Sequence, residues 1–388
     1  MKFLFTVASY YPIIGGVQVV TQNIAEELVR QGHNVTVLIS RNKGVKELNE
    51  FNGVKLKYYD LYTKKDKIVG NKQKYVSYLK ELCKDFDVLV NVSVHSALTD
   101  AILPHIQEFK CKTVLYLHGI YEFKWSEKDK SSPTRVLSKL YYNSRRRLFY
   151  SKLYKYARNY DLIVHLSEED ISMKYMKKYG ISQNTVIHNA AERAFFEPPV
   201  SECDEKYFLQ VANYAEHKNQ EYSLRAFYKS DCRDVKMVYV GSQKNSYYEY
   251  LVDLNSKLAQ EYGERKVEFQ VGISRSDTIE MFKHASAIIL SSRVEKFPMV
   301  LVEGLACGVP FISTDCGCVG TLQGGCVVHS IDEMAECMNY YHSHTFELNQ
   351  RKNERIEYAI HNMTVHSKVQ SLLDSIGKVS EYESDNRT

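Results

Sequence analysis

The sequence lacks any run of about 18 apolar residues, so no segment is long enough to span a membrane as a helix. It also lacks Gly-x-Gly-x-x-Gly, the fingerprint of ordinary dinucleotide-binding dehydrogenases. Its nine cysteines are scattered and odd in number, which disfavours a disulfide framework and indicates a reducing, cytoplasmic setting. Cys307, Cys316, Cys318 and Cys326 are close in sequence, but their spacing matches no usual zinc site, so we expect no metal there.

What the sequence does contain is a recurring α/β pattern. With 388 residues, 44% of them hydrophobic, the chain can form two domains with separate cores. Short apolar runs alternate with helical patterns, and we predict strands at 3–8, 35–39, 88–92, 114–117, 162–166, 207–212, 235–240, 267–271, 287–290, 310–313 and 325–328. Such strands are typical of parallel sheets covered on both faces. The pattern predicts an α/β fold of two Rossmann-like domains facing a central cleft.

A glycine pair follows the first predicted strand. Gly15 and Gly16 precede a predicted helix at about 17–31, which Gly32 ends before the strand at 35–39. Glycines at this position let the backbone approach a ligand phosphate closely, although a glycine pair is more often only a turn.

The most informative segment is 293–310, because it places carboxylates beside a buried helix. Pro298 suits the first turn of a helix, and Gly308 suits its end. Glu303 stands among apolar residues in the middle of this predicted helix, and Glu295 precedes the helix. A buried carboxylate is costly unless it has a partner, so Glu303 must face a partner group or a ligand.

This segment predicts a binding site for a nucleotide sugar. A diphosphate can rest on the helix start near Met299 and Val300, where N–H groups lack partners. Glu303 can accept two ribose hydroxyls, and Glu295 can hold hydroxyls of a sugar. The simpler interpretation is a buried helix whose Glu303 pairs with a basic residue elsewhere.

With Phe297-Pro298 adjoining, the segment closely resembles the Glu-x7-Glu signature of retaining two-domain nucleotide-sugar glycosyltransferases. This group is glycosyltransferase family 4, also called glycosyl transferases group 1, and it has the GT-B fold. The resemblance implies that Glu303 binds the ribose, that Glu295 binds the donor sugar, and that Phe297 lies in the donor site. It also implies that a loop such as that of Gly15 and Gly16 covers the donor diphosphate.

A second segment, 207–220, resembles the diphosphate-binding strand and loop of the same family. The family usually has an arginine at the strand end and a lysine five or six residues later. Lys218 matches the lysine, whereas Asn213 stands in the arginine position. Without that arginine, Lys218 needs help from helix ends, Arg293 or Lys296, or turnover is slow or absent. Taken alone, Lys218 could also be an ordinary surface lysine.

His118 follows a predicted strand of the first half of the chain. The family places a histidine here near the reacting carbon of the donor sugar, which implies positioning and electrostatic support. The alternative is a histidine that bonds a loop carbonyl. Asn91, Ser93 and His95 end a neighbouring predicted strand and are candidates for contact with the acceptor.

The predicted domain boundary lies at 189–199, where a Glu-Pro-Pro sequence interrupts regular structure. Asn189 matches the hinge sequence of the resembled family, but the Gly-Val-Asp that usually follows is replaced. We predict an acceptor-side domain over 1–190, completed by a C-terminal helix at about 365–388, and a donor-side domain over 191–364.

The segment 121–158 is strongly basic, with 11 Lys or Arg residues against three acidic ones. Nine aromatic residues are interleaved, including Trp125, the only tryptophan. The segment could bind an anionic membrane surface, or it could be a helix with a solvated basic face. No recognition motif accompanies the charge, so we expect no nucleic-acid partner.

These observations predict a glycosyltransferase that moves a sugar from a UDP- or GDP-linked donor to a hydroxyl of a glycan or lipid-linked acceptor. The resemblance implies retention at the anomeric carbon and a role in bacterial surface polysaccharide synthesis. It also implies no metal, because cations and helix ends would replace it. We expect a cytoplasmic protein that contacts the inner face of the cell membrane. The alternatives are a nucleotide-sugar epimerase of the same fold and a catalytically silent partner subunit.

Overall fold

The computed structural model describes residues 1–13, 15–41, 44, 46–64, 66–125 and 127–385. The chain divides into two compact units. The first contains residues 1–187 and the chain from Val369 on, and the second contains residues 188–368.

The first unit is built on an eight-stranded sheet with a small separate hairpin. Its strands are β1 (Lys2–Val7), β2 (Asn34–Ser40), β3 (Glu50–Phe51), β4 (Val54–Tyr59), β5 (Tyr62–Lys64), β6 (Lys67–Val69), β7 (Val88–Val92), β8 (Lys112–Tyr116), β9 (Leu162–His165) and β10 (Asn184–Val186). The order is β10-β9-β8-β7-β1-β2-β4-β3, and every pairing is parallel except that of β3 with β4. β5 and β6 form the hairpin.

Helices connect the parallel strands, as crossover connections require. They are α1 (Gly16–Arg30), α2 (Lys72–Leu82), α3 (Ala97–Asp100), α4 (Glu127–Lys130), α5 (Pro133–Ala157) and α6 (Ile171–Lys178). α1 buries Val20, Ile24 and Leu28, which recur every four residues on one face of the helix. The central strands β1, β7 and β8 are buried on both faces. Because these strands are parallel, their carboxyl ends meet along one edge of the sheet.

The second unit is a smaller version of the same architecture. Its strands are β11 (Tyr207–Val211), β12 (Lys236–Gly241), β13 (Val267–Val271), β14 (Ala287–Leu290), β15 (Phe311–Thr314) and β16 (Gly325–Val328). They form an entirely parallel sheet in the order β13-β12-β11-β14-β15-β16. Its helices are α7 (Gln220–Lys229), α8 (Ser246–Tyr262), α9 (Arg275–His284), α10 (Met299–Ala306), α11 (Ile331–Ser343), α12 (Thr345–Gln350) and α13 (Lys352–Met363).

The last helix, α14 (Val365–Asp385), begins in the second unit, and its residues from Val369 on belong to the first unit. Within the first unit, the Ser375 hydroxyl lies 3.3 Å from that of Thr185, which follows the start of β10. Thr364, which precedes α14, forms an isolated parallel β-bridge with Ala191 within the second unit.

α10 packs unusually close to its sheet. A Cβ on Gly304 would lie 2.5 Å from Cγ1 of Ile288 in β14, so any larger residue would push the helix outward. Gly308 ends the helix at φ +74°, a conformation that glycine adopts without strain. These two glycines fix where Glu303 lies.

All eleven predicted strands are present, with ends that differ by two residues or fewer. The prediction missed β3, β4, β5, β6 and β10. β4 alternates buried and exposed residues, unlike the near-continuous apolar runs of the central strands, and it lies beside the edge strand β3. Over the described residues, no helix combines the length and apolar character needed to cross a bilayer.

Candidate functional site

Glu303 lies in the middle of α10, and only 4% of its surface is exposed. Its Oε1 accepts a hydrogen bond from Nη2 of Arg275 at 2.6 Å. Arg275 is the first residue of α9, and the same nitrogen also donates to Oε1 of Glu192 at 2.6 Å. The carboxylate is therefore paired with a basic residue, as the simpler interpretation of the sequence expected.

The pairing occupies one oxygen of Glu303. Within the described part of the chain, no donor reaches Oε2. Burial raises the pKa of the Glu303 carboxyl, and the positive charge of Arg275 opposes that shift. Glu303 can thus keep its ion pair and still accept hydrogen bonds from a ligand through Oε2.

Lys218 and Glu295, predicted separately, lie in direct contact. Nζ of Lys218 donates to Oε1 of Glu295 at 2.6 Å, and the Ser292 hydroxyl donates to the same oxygen at 2.8 Å. Both partners of the ion pair are largely but not fully buried. The ammonium retains two protons for an anion, and Oε2 of Glu295 accepts no hydrogen bond from any described residue.

Two loops hold this pair in place. The loop before α7 carries Lys218, and its carbonyl accepts from the Ser291 hydroxyl at 3.1 Å. The loop after β14 carries Glu295, and Gly317 packs against it at φ +61°. A Cβ on Gly317 would lie 2.6 Å from the carbonyl oxygen of Glu295, so this position requires glycine.

α10 begins at Met299, four residues after Glu295. The carbonyl of Pro298 accepts from the N–H of Leu301, whereas no described residue accepts from the N–H groups of Met299 and Val300. The buried Phe297 stacks on His188 with ring centroids 5.1 Å apart. These two N–H groups lie at the positive end of the helix dipole, which favours an anion.

The hinge residue predicted from the sequence also lies against this region. The Asn189 side chain donates from Nδ2 to the carbonyl of Phe297 at 3.1 Å. The segment at the beginning of the second unit is therefore tied to the residues that precede α10.

Asn213 is exposed, just beyond β11, and its carbonyl accepts a hydrogen bond from the Gln220 side chain at 3.1 Å. Of the two other cations considered for this region, Arg293 donates to Oδ1 of Asn219 at 3.3 Å. Asn219 has φ +53°, and it precedes α7. The contact of Arg293 with Asn219 and the backbone conformation of Asn219 therefore show no second cation directly beside Lys218.

Gly15 and Gly16 open α1 in the first unit. Gly15 is the N-cap in an extended conformation, and a Cβ there would approach Oε1 of Gln18 to 2.5 Å. A Cβ on Gly16 would meet nothing within 4 Å. The backbone at Gly16 is thus open to approach.

His118 follows β8. Its ring is half-buried and stacks on the ring of Tyr116, with the ring centroids 5.2 Å apart. Burial lowers the pKa of His118 to about 4, so the imidazole is neutral near pH 7. No hydrogen bond joins the ring to another described residue, so the predicted loop carbonyl contact is not formed.

The three acceptor candidates, Asn91 in β7 and Ser93 and His95 after it, differ in their surroundings. Asn91 is fully buried and bonded to Thr6 and Tyr160, so its predicted acceptor contact is wrong. Ser93 and His95 both have positive φ in the loop beyond it. His95 lies 2.8 Å from the Tyr150 hydroxyl, and burial lowers its pKa to about 4.

Solved structures with the same fold include several sugar-transferring enzymes. Sucrose-phosphate synthase from Thermosynechococcus elongatus aligns with a TM-score of 0.73 over 98% of this chain and 99% of its own, at 14% identity. HepE from Anabaena, in complex with UDP, aligns with a TM-score of 0.74 over 97% of this chain and all of its own, at 15% identity. A glycosyltransferase from Rickettsia africae gives 0.72 over 97% and 98%, at 18% identity. These likenesses show that the predicted α/β fold class is correct.

Two adjacent family matches extend along most of the chain. Residues 14–195 match Glycosyltransferase Family 4, and residues 192–322 match Glycosyl transferases group 1. The chain is a glycosyltransferase of the GT-B fold. An uncharacterised glycosyltransferase from Methanocaldococcus jannaschii is 32% identical over 116 residues, which cover 29% of this chain and 28% of that relative.

Several residues of the glycosyltransferase site were not found from the sequence. Arg275 and Glu192 contact Glu303 or its partner but lie 28 and 111 positions away in sequence. Arg275 stands at the N-terminus of a helix, where the helix dipole disfavours a positive charge. This unfavourable position was the signal in the sequence that Arg275 has an acidic partner. Ser292 lies only three residues before Glu295 and could have been found by its spacing.

Among the described residues of the glycosyltransferase, no group of three or more His, Cys, Asp or Glu side chains is arranged to hold a metal ion. An Asp-x-Asp sequence occurs at Asp85 and Asp87. Asp87 accepts a hydrogen bond from the backbone N–H of Lys2 at 2.7 Å, at the amino-terminal edge of the sheet. Its carboxylate is therefore used at the edge opposite the carboxyl ends of the strands.

In the glycosyltransferase, α5 makes up most of the basic segment 121–158. Leu137, Tyr141 and Leu148 are exposed on this helix, by 67%, 62% and 60%. At 3.6 residues per turn they lie within about 40° of one another around the helix axis. Lys152 and Lys155 are exposed near the same stripe. The outer face of α5 thus combines large apolar side chains with positive charge.

Proposed function

We propose that this glycosyltransferase transfers a sugar from a nucleotide-diphosphate donor, UDP- or GDP-linked, to a hydroxyl group with retention at the anomeric carbon. The observation that carries the proposal is the contact between Lys218 and Glu295 beside the start of α10. In this contact an ammonium and a carboxylate lie side by side. Glu295 comes four residues before Met299, whose N–H, like that of Val300, has no acceptor among the described residues. Together these groups support a site with a cation for the phosphate and a carboxylate for the sugar hydroxyls.

Each group has a role in binding the donor. The diphosphate accepts hydrogen bonds from Met299, Val300 and Lys218, while Oε2 of Glu303 accepts from the ribose hydroxyls. Oε2 of Glu295 accepts from the donor sugar. Hydrogen bonds to charged groups contribute about 1.5–3 kcal/mol each, so losing any one of these contacts should weaken donor binding measurably.

The reaction breaks the bond between the anomeric carbon and the phosphate oxygen. The leaving nucleoside diphosphate keeps the bonding electron pair, and Lys218 with the helix start stabilises its new charge. The acceptor oxygen attacks from the same face and forms the new glycosidic bond, and its proton passes to the departing phosphate oxygen. His118 is neutral and positions the sugar rather than removing the proton.

The structural neighbours support a nucleotide-sugar donor. HepE from Anabaena is described in complex with UDP, with UDP and glucose, and with UDP-glucose. We propose a metal-independent reaction, in which Lys218 and the N–H groups of α10 act on the diphosphate. We propose as acceptor a glycan or lipid-linked glycan of bacterial surface polysaccharide synthesis, with Ser93 and His95, which follow β7, as the candidates for contact with it.

A thermal-shift screen with UDP- and GDP-sugars tests this function. We expect one donor class to raise the unfolding temperature, since a ligand at about a hundredfold excess over Kd adds about 2.7 kcal/mol of stability. The matched control is the Glu249→Ala variant, which changes an exposed glutamate in α8 and should respond like the wild type. If no nucleotide or nucleotide sugar shifts the transition, the proposed function is wrong.

Two other functions share the fold. Product analysis with the donor alone distinguishes a nucleotide-sugar epimerase, which needs no acceptor. Asn213 favours a catalytically silent partner subunit, because an arginine is usual at its position in the resembled family. A silent subunit would bind the nucleotide without releasing a nucleoside diphosphate.

We also propose that the enzyme contacts the inner face of the cell membrane through α5. Its exposed leucines can enter the interface while its lysines and arginines attract anionic lipid, each contributing on the order of 1 kcal/mol. The Leu137→Asp/Leu148→Asp double variant should lose flotation with vesicles of phosphatidylcholine and phosphatidylglycerol, which the wild type should bind. The Phe346→Asp variant, with a side chain 74% exposed on α12, should float like the wild type. Equal partitioning with and without phosphatidylglycerol would reject this contact.

A further inference from the structure

Arg275 connects two acidic residues of the second unit. One of its nitrogens, Nη2, lies 2.6 Å from Glu192 and 2.6 Å from Glu303. Its guanidinium also lies over the ring of Phe195, 4.9 Å from the centroid. The side chain of Arg275, which belongs to α9, thus contacts two other elements: the segment 192–195 and α10.

The three side chains differ in exposure. Glu303 is nearly inaccessible, with 5% of its side chain exposed, whereas the Glu192 and Arg275 side chains are exposed by 28% and 37%. An ion pair is worth more where water is excluded, so the interaction with Glu303 dominates. Glu192 then acts mainly on the orientation of the guanidinium, because it accepts a hydrogen bond from the same Nη2 of Arg275 that donates to Glu303.

We propose that Arg275 is a positioning residue that fixes the Glu303 carboxylate as an anion, with one oxygen paired and the other directed to the ribose of the donor. This inference rests on the proposed function, because it assigns a role to Arg275 in the same nucleotide site. Arg275 itself does not need to touch the ligand.

The physical reason is the cost of burying a carboxylate. Burial favours the protonated form of Glu303, and only the ionised form accepts hydrogen bonds through both oxygens. Glu192 acts against Arg275, since its negative charge raises the pKa of Glu303. Other charged groups near α10 are Lys283 and Glu280 on α9 and Lys352 and Arg355 on α13; the Arg355 guanidinium is bonded to the carbonyl of Gly308.

The expected sign follows from this arrangement. In the Arg275→Met variant the opposing positive charge is gone, so the pKa of Glu303 rises and a larger fraction is protonated near neutral pH. Nucleotide affinity should then fall at pH 7 and recover as the pH rises. In the wild type the same loss should begin only at lower pH.

Calorimetric titration over about pH 5.5 to 8.5 measures this effect, with UDP or GDP, whichever stabilises the wild type in the screen. At pH 7 we expect the Arg275→Met variant to bind about tenfold more weakly, the lower limit for a lost hydrogen bond to a charged group. Arg275→Lys should restore most of the affinity and the pH profile, because it keeps the charge. Glu192→Gln should bind as tightly as the wild type or more tightly.

Each outcome has a definite meaning. An unchanged affinity and pH profile in Arg275→Met would overturn the inference, and so would a loss that is the same at every pH, which indicates a structural role only. If Arg275→Met does not fold, Arg275→Gln, which also removes the positive charge, is measured in its place and judged by the same criteria. Failure of the wild type to bind either nucleotide would instead reject the proposed function.

Discussion

Replacing Lys218 by alanine should lower kcat/KM by about 10²–10³-fold, the usual effect of removing one group that stabilises developing charge. The effect is large because the site has Asn213 where the resembled family has a second cation, and Lys218 contacts Glu295 directly. Release of the nucleoside diphosphate, followed in a coupled assay, measures the change.

The matched control is the Lys229→Ala variant. Lys229 is in the same unit and pairs with Asp332 at 2.5 Å, but this pair is exposed and is expected to affect stability little. Its kcat/KM should stay within about twofold of the wild type. A Lys218→Ala enzyme that retains more than about a third of the wild-type kcat/KM would remove Lys218 from the reaction.

Replacing Glu303 by alanine should weaken nucleotide binding by about 2 kcal/mol or more, if both ribose contacts are lost. The variant also leaves the half-buried Arg275 with Glu192 as its acidic partner, so a moderate loss of stability should accompany the loss of binding. Binding is measured by calorimetry at a temperature where the variant is fully folded. Its stability is measured in a separate unfolding experiment, so the two effects are distinguished.

Glu303→Gln separates charge from shape, because the amide retains the size of the carboxyl and one acceptor oxygen. We expect it to bind the nucleotide more tightly than Glu303→Ala but more weakly than the wild type. The Glu249→Ala enzyme should match the wild type. Unchanged nucleotide affinity in Glu303→Ala would show that the ribose is bound elsewhere.

The central strands could be predicted from the sequence because burial on both faces leaves little freedom in their composition. β7 and β14 are short apolar runs that admit few other interpretations. β4 could not be predicted in the same way, since buried and exposed residues alternate along it and its sequence alternates lysine with apolar residues. The two-residue β3 is too short to give a pattern.

The site was predictable where the chemistry is local in sequence. Glu295, the start of α10 and Glu303 lie within nine residues, so a carboxylate, a helix start and a buried carboxylate could be identified together. The partners of these groups were not predictable, because parallel crossovers bring Arg275 and Lys218 to them from distant positions. Asn91 shows the opposite error, since a polar residue at a strand end proved to bond within the core.

A crystal structure of the enzyme with the nucleoside diphosphate that stabilises it most would test the central claim directly. The account predicts diphosphate oxygens within about 2.6–3.1 Å of the N–H groups of Met299 and Val300 and of Lys218 Nζ. It also predicts ribose hydroxyls at the same range from Oε2 of Glu303, with the Arg275 contact retained. A nucleotide bound away from α10, with Glu303 paired only to Arg275, would contradict the account.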